Sequence, residues 1–238
     1  MKLSLIIPAY NEEKYIGACL EHAIKNSKGK FSEIIVIDNA STDKTAEVAR
    51  KFNGVKVIRE NEKGLTKARQ RGFKESTGDI LAYIDADTRM PKNWINLLEK
   101  TFNKNHDCVC LSGPYIYYDV SKLQQFLVKW LYWYLLAVPS SYFTGYMVIG
   151  GNFAIRRETL NKMNGFDTSI KFYGEDTDIA RRAKEFGKIK FNPRFHMFSS
   201  GRRLNSQGFF STGYTYVLNF LSEVFLHKPV TEEYKDIR

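Results

Sequence analysis

The chain has 238 residues, of which 43% are hydrophobic and 14% aromatic, and 36 Lys and Arg outnumber 26 Asp and Glu to give a formal net charge of +10. This composition excludes a disordered chain and allows a sizeable core, in one large domain or a domain with an appendage. The charge favours anionic partners, which are nucleic acid, an anionic membrane surface or a phosphorylated small substrate. Charge alone does not choose among them.

The cysteines and the N-terminus indicate a cytoplasmic protein. Cys19, Cys108 and Cys110 lie in apolar settings and are too few for a disulfide framework, so we predict core thiols in a reducing compartment. The first apolar run is short and meets acids at once, which predicts a strand and not a signal peptide. No stretch reaches the roughly 18 apolar residues of a spanning helix. Peripheral contact with the cytoplasmic membrane face stays open.

Apolar strand patterns alternate with helical patterns through the first hundred residues. The predicted strands are "LSLIIPA", "EIIVID", "VKVI" and "ILAYID", and the predicted helices cover 12–27, 42–52, 65–76 and 91–103. Such alternation predicts an α/β fold with a Rossmann-like, mostly parallel central sheet flanked by helices. Ligands bind outside the carboxyl ends of such strands, so the loops that follow them share one edge.

The second half of the chain is less regular. A fifth apolar run, "CVCLSG", precedes the aromatic segment 121–149, which has no period-2 alternation. A strand, a turn and a short helix are predicted in "GGNFAIRRETLNKMNGF", a helix in "EDTDIARRAKEFG", a strand in "KIKFN" and an amphipathic helix over 208–226. We see no repeat or linker and predict a single domain over 1–238.

The first and second predicted strands both end in polar residues, but no known nucleotide-binding motif follows the first strand. The first ends in "PAYNEE", which lacks the G-x-G-x-x-G of dinucleotide sites, and the chain contains no P-loop. The second ends at Asp38, which either accepts hydrogen bonds from a ribose or a base or caps a turn.

The fourth strand ends in "YIDADTRMP", with two carboxylates one residue apart. Side chains at i and i+2 of an extended segment point to the same side, so Asp85 and Asp87 would face a common cation. Carboxylate oxygens suit Mg²⁺ or Mn²⁺, whereas the alternative is a solvated turn. Basic residues just upstream either approach the same phosphates or form a solvated helix face. These are Lys63, Lys67, Arg69 and Arg71.

A second acidic pair, Glu175 and Asp176, follows Gly174 at the start of a predicted helix. The helix dipole and caps are expected to keep a carboxylate ionised there. Such a group either takes a proton from an attacking hydroxyl or only caps the helix.

Together these segments resemble glycosyltransferase family 2, inverting enzymes with the GT-A fold. The resemblance covers roughly residues 3–200 in the right order, which is far more specific than one D-x-D pair. It rests on "SLIIPAYNEEKYIGACL", "EIIVIDNASTDKT", "GLTKARQRGFKESTGDILAYIDADT", "GGNFAIRRETLNKMNGFD" and "GEDTDIARRAKEFGKIKFNP".

The resemblance implies a role for each matching residue. Residues 1–113 would form the nucleotide-sugar half, 114–207 the acceptor and catalytic-base half, and 208–238 a C-terminal helix and tail. Asp176 would be the base with Glu175 beside it. Asp87 and Asp85 would hold Mn²⁺ or Mg²⁺, and His196 either joins them or packs in the core. The implied substrate-binding residues are Pro8, Ala9, Tyr10, Glu12, Asp38, Arg69, Asp85, Gly150, Gly151 and Asn152.

The implied reaction is transfer of a sugar from a nucleoside-diphosphate sugar to an acceptor hydroxyl or lipid phosphate. A single base opposite the leaving group predicts direct displacement with inversion. The Q-x-x-R-W motif of processive synthases is missing from the sequence, which argues against a polymerase.

The aromatic segment 126–138 has three interpretations, which are a buried helix, an acceptor-binding flap and an interfacial helix. The expected acceptor is a glycan or a lipid-linked molecule, and nucleic acid is disfavoured as a partner. The alternative function is a non-catalytic sugar-nucleotide or nucleic-acid binding protein of the same fold. A haloacid-dehalogenase-like phosphatase would carry its paired acids after the first strand, not the fourth.

Overall fold

The computed structural model describes residues 1–139, 145–170 and 174–208, with 211, 214, 218 and 222. The strands are β1 (Leu3–Ala9), β2 (Glu33–Asn39), β3 (Val55–Glu60), β4 (Ile80–Ile84), β5 (Thr88–Arg89), β6 (Cys108–Ser112), β7 (Tyr115–Tyr117), β8 (Asn152–Arg156), β9 (Lys188–Phe191) and β10 (Met197–Ser199). The helices are α1 (Ile16–Ser27), α2 (Thr45–Arg50), α3 (Leu65–Glu75), α4 (Trp94–Lys104), α5 (Lys122–Leu127), α6 (Arg157–Lys162), α7 (Glu175–Lys184) and α8 (Arg202–Gln207). A π-helical segment, Val128–Ala137, continues α5.

The central sheet has seven strands in the order β3-β2-β1-β4-β8-β6-β9. Strands β1 to β4 pair in parallel, and β8 runs antiparallel to both β4 and β6. A second sheet has the order β5-β10-β7. The predicted α/β architecture with a mostly parallel sheet is therefore confirmed, and the turns after β1, β2 and β4 lie at one edge. The predicted helix over 208–226 lies almost entirely outside the described residues, and the division into one domain stays a prediction.

Apolar side chains on the two faces of the central sheet form two cores. Strand β1 is buried along its whole length because α1 covers one face and α3 the other. The three cysteines are free and buried, as predicted, and burial raises the pKa of the Cys19 thiol to about 12. Within the described ranges, no helix is long and apolar enough to cross a membrane.

The helix in the aromatic segment begins at a capping box. The Ser121 hydroxyl accepts a hydrogen bond from the Gln124 amide, and the Gln124 side chain accepts one from the Ser121 amide. The missing period-2 alternation in the part of this segment from 122 to 137 is thus explained by helix. The segment continues in π geometry, which in proteins is often found at functional sites.

Asn152, the first residue of β8, is a structural centre of the fold. Its side chain accepts a hydrogen bond from the Trp94 indole at 2.9 Å and donates to the carbonyls of Gly113 and Phe195 at 3.0 and 2.7 Å. The residue is fully buried, and Trp94 stacks on Phe195 with ring centres 4.4 Å apart. Asn152 therefore joins α4 to the segments before β7 and β10, and it is not among the residues that line the cleft described below.

We expect Asn152→Ala to lower the free energy of unfolding by roughly 3 kcal/mol, since it leaves three buried polar groups without partners at about 1–3 kcal/mol each. Urea unfolding measures the change. The exposed Asn161 provides a control, and Asn161→Ala should stay within about 0.5 kcal/mol of the parent. Equal losses in the two variants would contradict this role.

Candidate active site

A cleft of about 710 Å³ opens at the carboxyl edge of the central sheet. It is lined by the ends of β1, β2 and β4, the start of α3, residues 146–151, the start of α7 and residues 199–204. The predicted site segments therefore meet in one place. They are far apart in sequence, and the parallel strands bring them to a common edge.

Asp85 and Asp87 lie in a tight turn directly after β4. The amide and hydroxyl of Thr88 donate to the Asp85 carbonyl at 3.2 and 2.7 Å, and the Asp85 amide donates to the Gly151 carbonyl. The turn corrects the expectation of an extended D-x-D segment. Both residues still line the cleft, because the turn closes back toward β8 and β10.

Tyr115 orients Asp85. Its hydroxyl donates to Asp85 Oδ2 at 2.9 Å from strand β7 of the small sheet. Burial and the neighbouring carboxylates Asp85 and Asp87 raise the pKa of the Tyr115 hydroxyl well above its usual value, so it remains a donor. A Cβ added to Gly151 would collide with both groups, which explains the requirement for glycine there.

Arg202 supplies a positive charge between two of the acidic residues. Its guanidinium bonds to Glu12 Oε1 and Oε2 at 2.5 and 2.9 Å and lies 3.1 Å from Asp87 Oδ2. The Arg202 side chain is only 20% exposed, and the Glu12 side chain only 4%. Glu12 lines the cleft, but its carboxylate is engaged by Arg202. The helix α8 is thereby tied to the loop after β1.

A second arginine lies beneath the other acidic pair. Arg69, which is 1% exposed, donates to Glu175 Oε1 at 2.9 Å and to the Gly150 carbonyl at 2.7 Å. It links α3 to the loop before β8 and to the first turn of α7. A Cβ on Gly150 would lie 2.6 Å from Glu175 Oε1 and 2.8 Å from an Arg69 nitrogen, so this loop also needs glycine.

The two carboxyls at the start of α7 hold their protons more tightly than ordinary acids. Burial and the neighbouring Asp176 raise the pKa of Glu175 to about 8, although Arg69 opposes the shift. Burial also raises the pKa of Asp176, again against Arg69. The expectation that the helix dipole and caps dominate here is wrong, because desolvation outweighs them. A raised pKa makes a carboxylate a stronger base.

Some of the residues at the ends of β1 and β2 line the cleft, and one of them, Asp38, instead contacts the neighbouring strand β3. Pro8, Ala9 and Tyr10 line the cleft, and the ammonium of Lys63 lies 4.0 Å from the centre of the Tyr10 ring. Asp38 does not line it. Its carboxylate pairs at 2.5 Å with Arg59, its neighbour in register on β3, while the next residue, Asn39, faces the cleft.

The structure does not bring His196 to the carboxylate pair. His196 precedes β10 and packs against Phe198, with ring centres 5.4 Å apart, and burial lowers the pKa of its imidazole. Side chains alternate along a strand, so Ser199 faces the cleft while His196 and Phe198 point elsewhere. The packed interpretation of His196 fits this placement.

The carboxylates of Asp85 and Asp87 in the turn after β4 suit a hard divalent cation such as Mg²⁺, with a bound substrate supplying further oxygen ligands. Among the described residues, no three His, Cys, Asp or Glu side chains gather as a complete metal cage. Mg²⁺ is usually bound by one or two carboxylates together with substrate phosphates, and Asp85 and Asp87 can supply that share. Arg202 already compensates the charge of Asp87.

Tyr115 and Arg202 are the functional candidates that sequence reasoning missed. Tyr115 lies in a run without a motif, and only the pairing of β7 with β10 brings it to β4. Arg202 had a weak signal, since two arginines follow the histidine in "HMFSSGRR". Among the basic residues predicted near phosphates, Arg71 does not line the cleft but pairs with Glu75 at 3.0 Å.

A seven-stranded mixed sheet with a cleft at its carboxyl edge defines an α/β protein of the kind that binds ligands there. Glycosyl transferase family 2 has a sequence profile that matches residues 4–163, about two thirds of the chain. The chain belongs to this family. The profile described as the N-terminal domain of galactosyltransferase matches 137–199.

Relatives agree with this assignment. The dolichol-phosphate mannosyltransferase of Pyrococcus furiosus is 38% identical over 120 residues, which are 49% of this chain and 34% of that protein. The probable glycosyltransferase YdaM of Bacillus subtilis is 28% identical over 207 residues, which are 81% of this chain and 49% of that protein. This chain therefore spans half or less of their lengths.

Solved structures show the fold. A mannosyltransferase from Pyrobaculum calidifontis, in complex with GDP-Man and Mn²⁺, superposes with a TM-score of 0.73 at 20% identity, over 95% of this chain and 63% of that one. TarS 1–349 from S. aureus gives a TM-score of 0.66, also at 20% identity, over 98% and 67%. The GT-A fold predicted from the sequence is confirmed.

The raised pKa of Glu175 predicts a pH-dependent stability. Between about pH 4.5 and pH 8 the folded protein keeps a proton that the unfolded chain releases, so the free energy of unfolding falls as pH rises through this window. We expect Glu175→Gln to reduce that slope in urea unfolding series. Glu185→Gln, at an exposed position after α7, should keep the parental slope. Identical slopes in all three proteins would rule out the raised pKa.

Proposed function

We propose that this protein is an inverting glycosyltransferase that moves a sugar from a nucleoside-diphosphate sugar to an acceptor hydroxyl or lipid phosphate. One observation carries the proposal. A single cleft contains both the carboxylate pair Asp85 and Asp87, suited to a cation, and the buried pair Glu175 and Asp176, suited to proton transfer. Non-catalytic binding of a nucleotide does not need the second pair.

The donor nucleotide is proposed to lie against the ends of β1 and β2. Pro8, Ala9 and Tyr10 offer an apolar and aromatic wall for a base, and Lys63 lies beside that wall. Asn39 takes the position facing the base that the sequence assigned to Asp38. Its amide group is already held by the Glu62 carbonyl and the Gly64 amide, so it is rigid. Asp38 keeps an indirect role by holding this turn through Arg59.

Asp87 and Asp85 are proposed to hold Mn²⁺ or Mg²⁺ at the donor diphosphate. When bound there, the ion supplies electrostatic stabilisation of the diphosphate leaving group. Arg202 already lies 3.1 Å from Asp87, so its guanidinium is also placed to meet that diphosphate. Tyr115 keeps Asp85 in one orientation through its hydrogen bond.

Asp176 is proposed as the base that takes the proton of the acceptor. Desolvation raises its pKa and makes it a better proton acceptor than an exposed aspartate. Arg69 fixes the adjacent Glu175 and so positions the first turn of α7. Attack on the sugar from the side opposite the diphosphate inverts the anomeric configuration, because no carboxylate nucleophile intervenes.

The acceptor is proposed to enter past the aromatic wall of the cleft. Trp133, Tyr146 and Met147 line this side and suit a glycan or a lipid-linked acceptor. Trp133 belongs to the aromatic segment 126–138 and is both buried and part of the cleft lining. The inner face of this segment is therefore compatible with the buried-helix interpretation and with the acceptor-flap interpretation. We place the protein in the cytoplasm, in peripheral contact with the membrane face through this segment.

Loss of Asp87 should weaken metal-dependent donor binding. In thermal-shift measurements with a panel of nucleoside-diphosphate sugars, with and without Mn²⁺, we expect one donor to raise the melting temperature of the parent only with metal. Asp87→Asn should weaken that binding at least tenfold, or about 1.4 kcal/mol, because it removes a charged ligand. Asp107→Asn, at an exposed ion pair, serves as the control. Equal shifts in all three proteins would exclude Asp87 as a ligand.

Loss of Asp176 should abolish turnover but leave donor binding intact. Using the donor identified above, release of nucleoside diphosphate in the presence of acceptor should fall by about 10²–10⁴-fold in Asp176→Asn, the usual contribution of a general base. Asp167→Asn, exposed before α7, should keep the parental rate. Turnover at the parental rate in Asp176→Asn would remove this residue from the role. Donor binding without turnover in the parent itself, over a broad acceptor panel, would instead favour the non-catalytic alternative.

A further inference from the structure

The helix that carries the inner cleft wall has a second face, which is turned to solvent and is strongly apolar. Leu123, Phe126, Trp130 and Tyr134 are 67%, 57%, 50% and 42% exposed. We call these four side chains the aromatic ridge. Their spacing of three or four residues places them along one side of the helix. The ring centres of Phe126 and Trp130 are 6.3 Å apart, and those of Trp130 and Tyr134 are 5.3 Å apart.

The core of the protein does not explain the aromatic ridge. None of the six residues of α5 is buried, although helices usually gain most of their stability from a packed apolar face. On the π-helical segment, Trp133 points inward and packs near Met147 and Phe191, and Val128 packs against the same cluster. A contiguous exposed row of large apolar side chains usually marks a binding surface.

The helix that carries the aromatic ridge has charges of a single sign. Lys122 and Lys129 are exposed on the same helix, and the Lys129 ammonium lies 5.8 Å from the Trp130 ring centre. The sequence from 120 to 157 contains no Asp or Glu. A helix face of aromatic rings and lysines complements the headgroups of an anionic bilayer.

A groove beside the aromatic ridge shares two lining residues with the active-site cleft. It has a volume of about 280 Å³ and lies between β7 and the helix. Tyr115 and Tyr117 line both this groove and the cleft. Its remaining lining residues are Ile116, Lys122, Gln125, Phe126, Val128, Lys129 and Trp130.

We propose that the aromatic ridge inserts into the interface of an anionic lipid bilayer, with Lys122 and Lys129 on headgroup phosphates and the groove holding a phosphate-bearing headgroup beside the cleft. The docking surface thus begins at Leu123, ahead of the segment 126–138. The purpose of this docking rests on the proposed glycosyl transfer, because docking would bring a membrane-borne acceptor to Asp176. Vesicle binding itself can be measured without any enzymatic turnover.

Tryptophan fluorescence tests the insertion directly. The chain contains three tryptophans, and Trp94 and Trp133 are 1% and 4% exposed, so lipid contact reports on Trp130. With the full chain and vesicles of brominated phosphatidylglycerol and phosphatidylcholine, we expect quenching of the parent. Trp130→Phe should float with the same vesicles but lose the quenching. A parent that stays in the soluble fraction, or quenching that survives in Trp130→Phe, would overturn the proposal.

Charge reversal tests the role of the two lysines. Lys122→Glu/Lys129→Glu should weaken binding to phosphatidylglycerol vesicles at least tenfold, whereas Lys100→Glu/Lys104→Glu, at exposed positions of α4, should stay within about twofold of the parent. Equal weakening in both pairs would mean that net charge, not this surface, drives binding, and would overturn the proposal.

Donor thermal shifts separate this inference from the proposed function. Each variant should keep the donor- and metal-dependent shift of the parent, which shows that its cleft is folded. Vesicle binding without any donor shift in the parent would contradict the proposed function and support the docking surface. A donor-dependent thermal shift without vesicle binding would support the proposed function and contradict the docking surface.

Discussion

Acidic side chains from distant parts of the chain meet at one edge of the central sheet, and two partly or fully buried arginines make that arrangement stable. Arg69 compensates Glu175 from below, and Arg202 bridges Glu12 and Asp87 from the side. Without these cations, the desolvated carboxylates would repel one another at a large cost in free energy. These two arginines join α3 to α7 and to the glycine loop before β8, and α8 to the loop after β1 and to the turn after β4.

The same electrostatic arrangement prepares the proposed chemistry. At one part of the cleft Asp87 is compensated by Arg202, so a divalent ion and a diphosphate would join an existing set of charges. At another part Glu175 and Asp176 are so poorly solvated that a proton is held tightly. One region favours positive charge and the other favours a proton, which is the division that a displacement with proton transfer requires.

The helix after β7 has one face toward the cleft and another face toward solvent. Trp133 closes the cleft from within, and Trp130, three residues earlier, faces solvent. The sequence alone left three interpretations of this segment in competition, and the structure shows one helix with a buried inner side chain, Trp133, and an exposed outer one, Trp130. Periodicity could not separate them, because aromatic residues occupy both faces and the π-helical geometry departs from a 3.6-residue period.

The sequence by itself determined the alternation of strands and helices through the first hundred residues, the mostly parallel sheet and the motif-bearing turns, since these depend on local periodicity and on acids that end apolar strands. The tertiary structure alone decided which of those polar residues face the cleft. Asp38 turns to Arg59 across the sheet, Asn152 turns into the core, and His196 lies on the far side of β10. Tyr115 and Arg202 come to the site only through sheet pairing and a long-range ion pair. The direction of a side chain depends on strand register and on neighbours that are distant in sequence. Neither can be predicted from the local pattern of a single sequence.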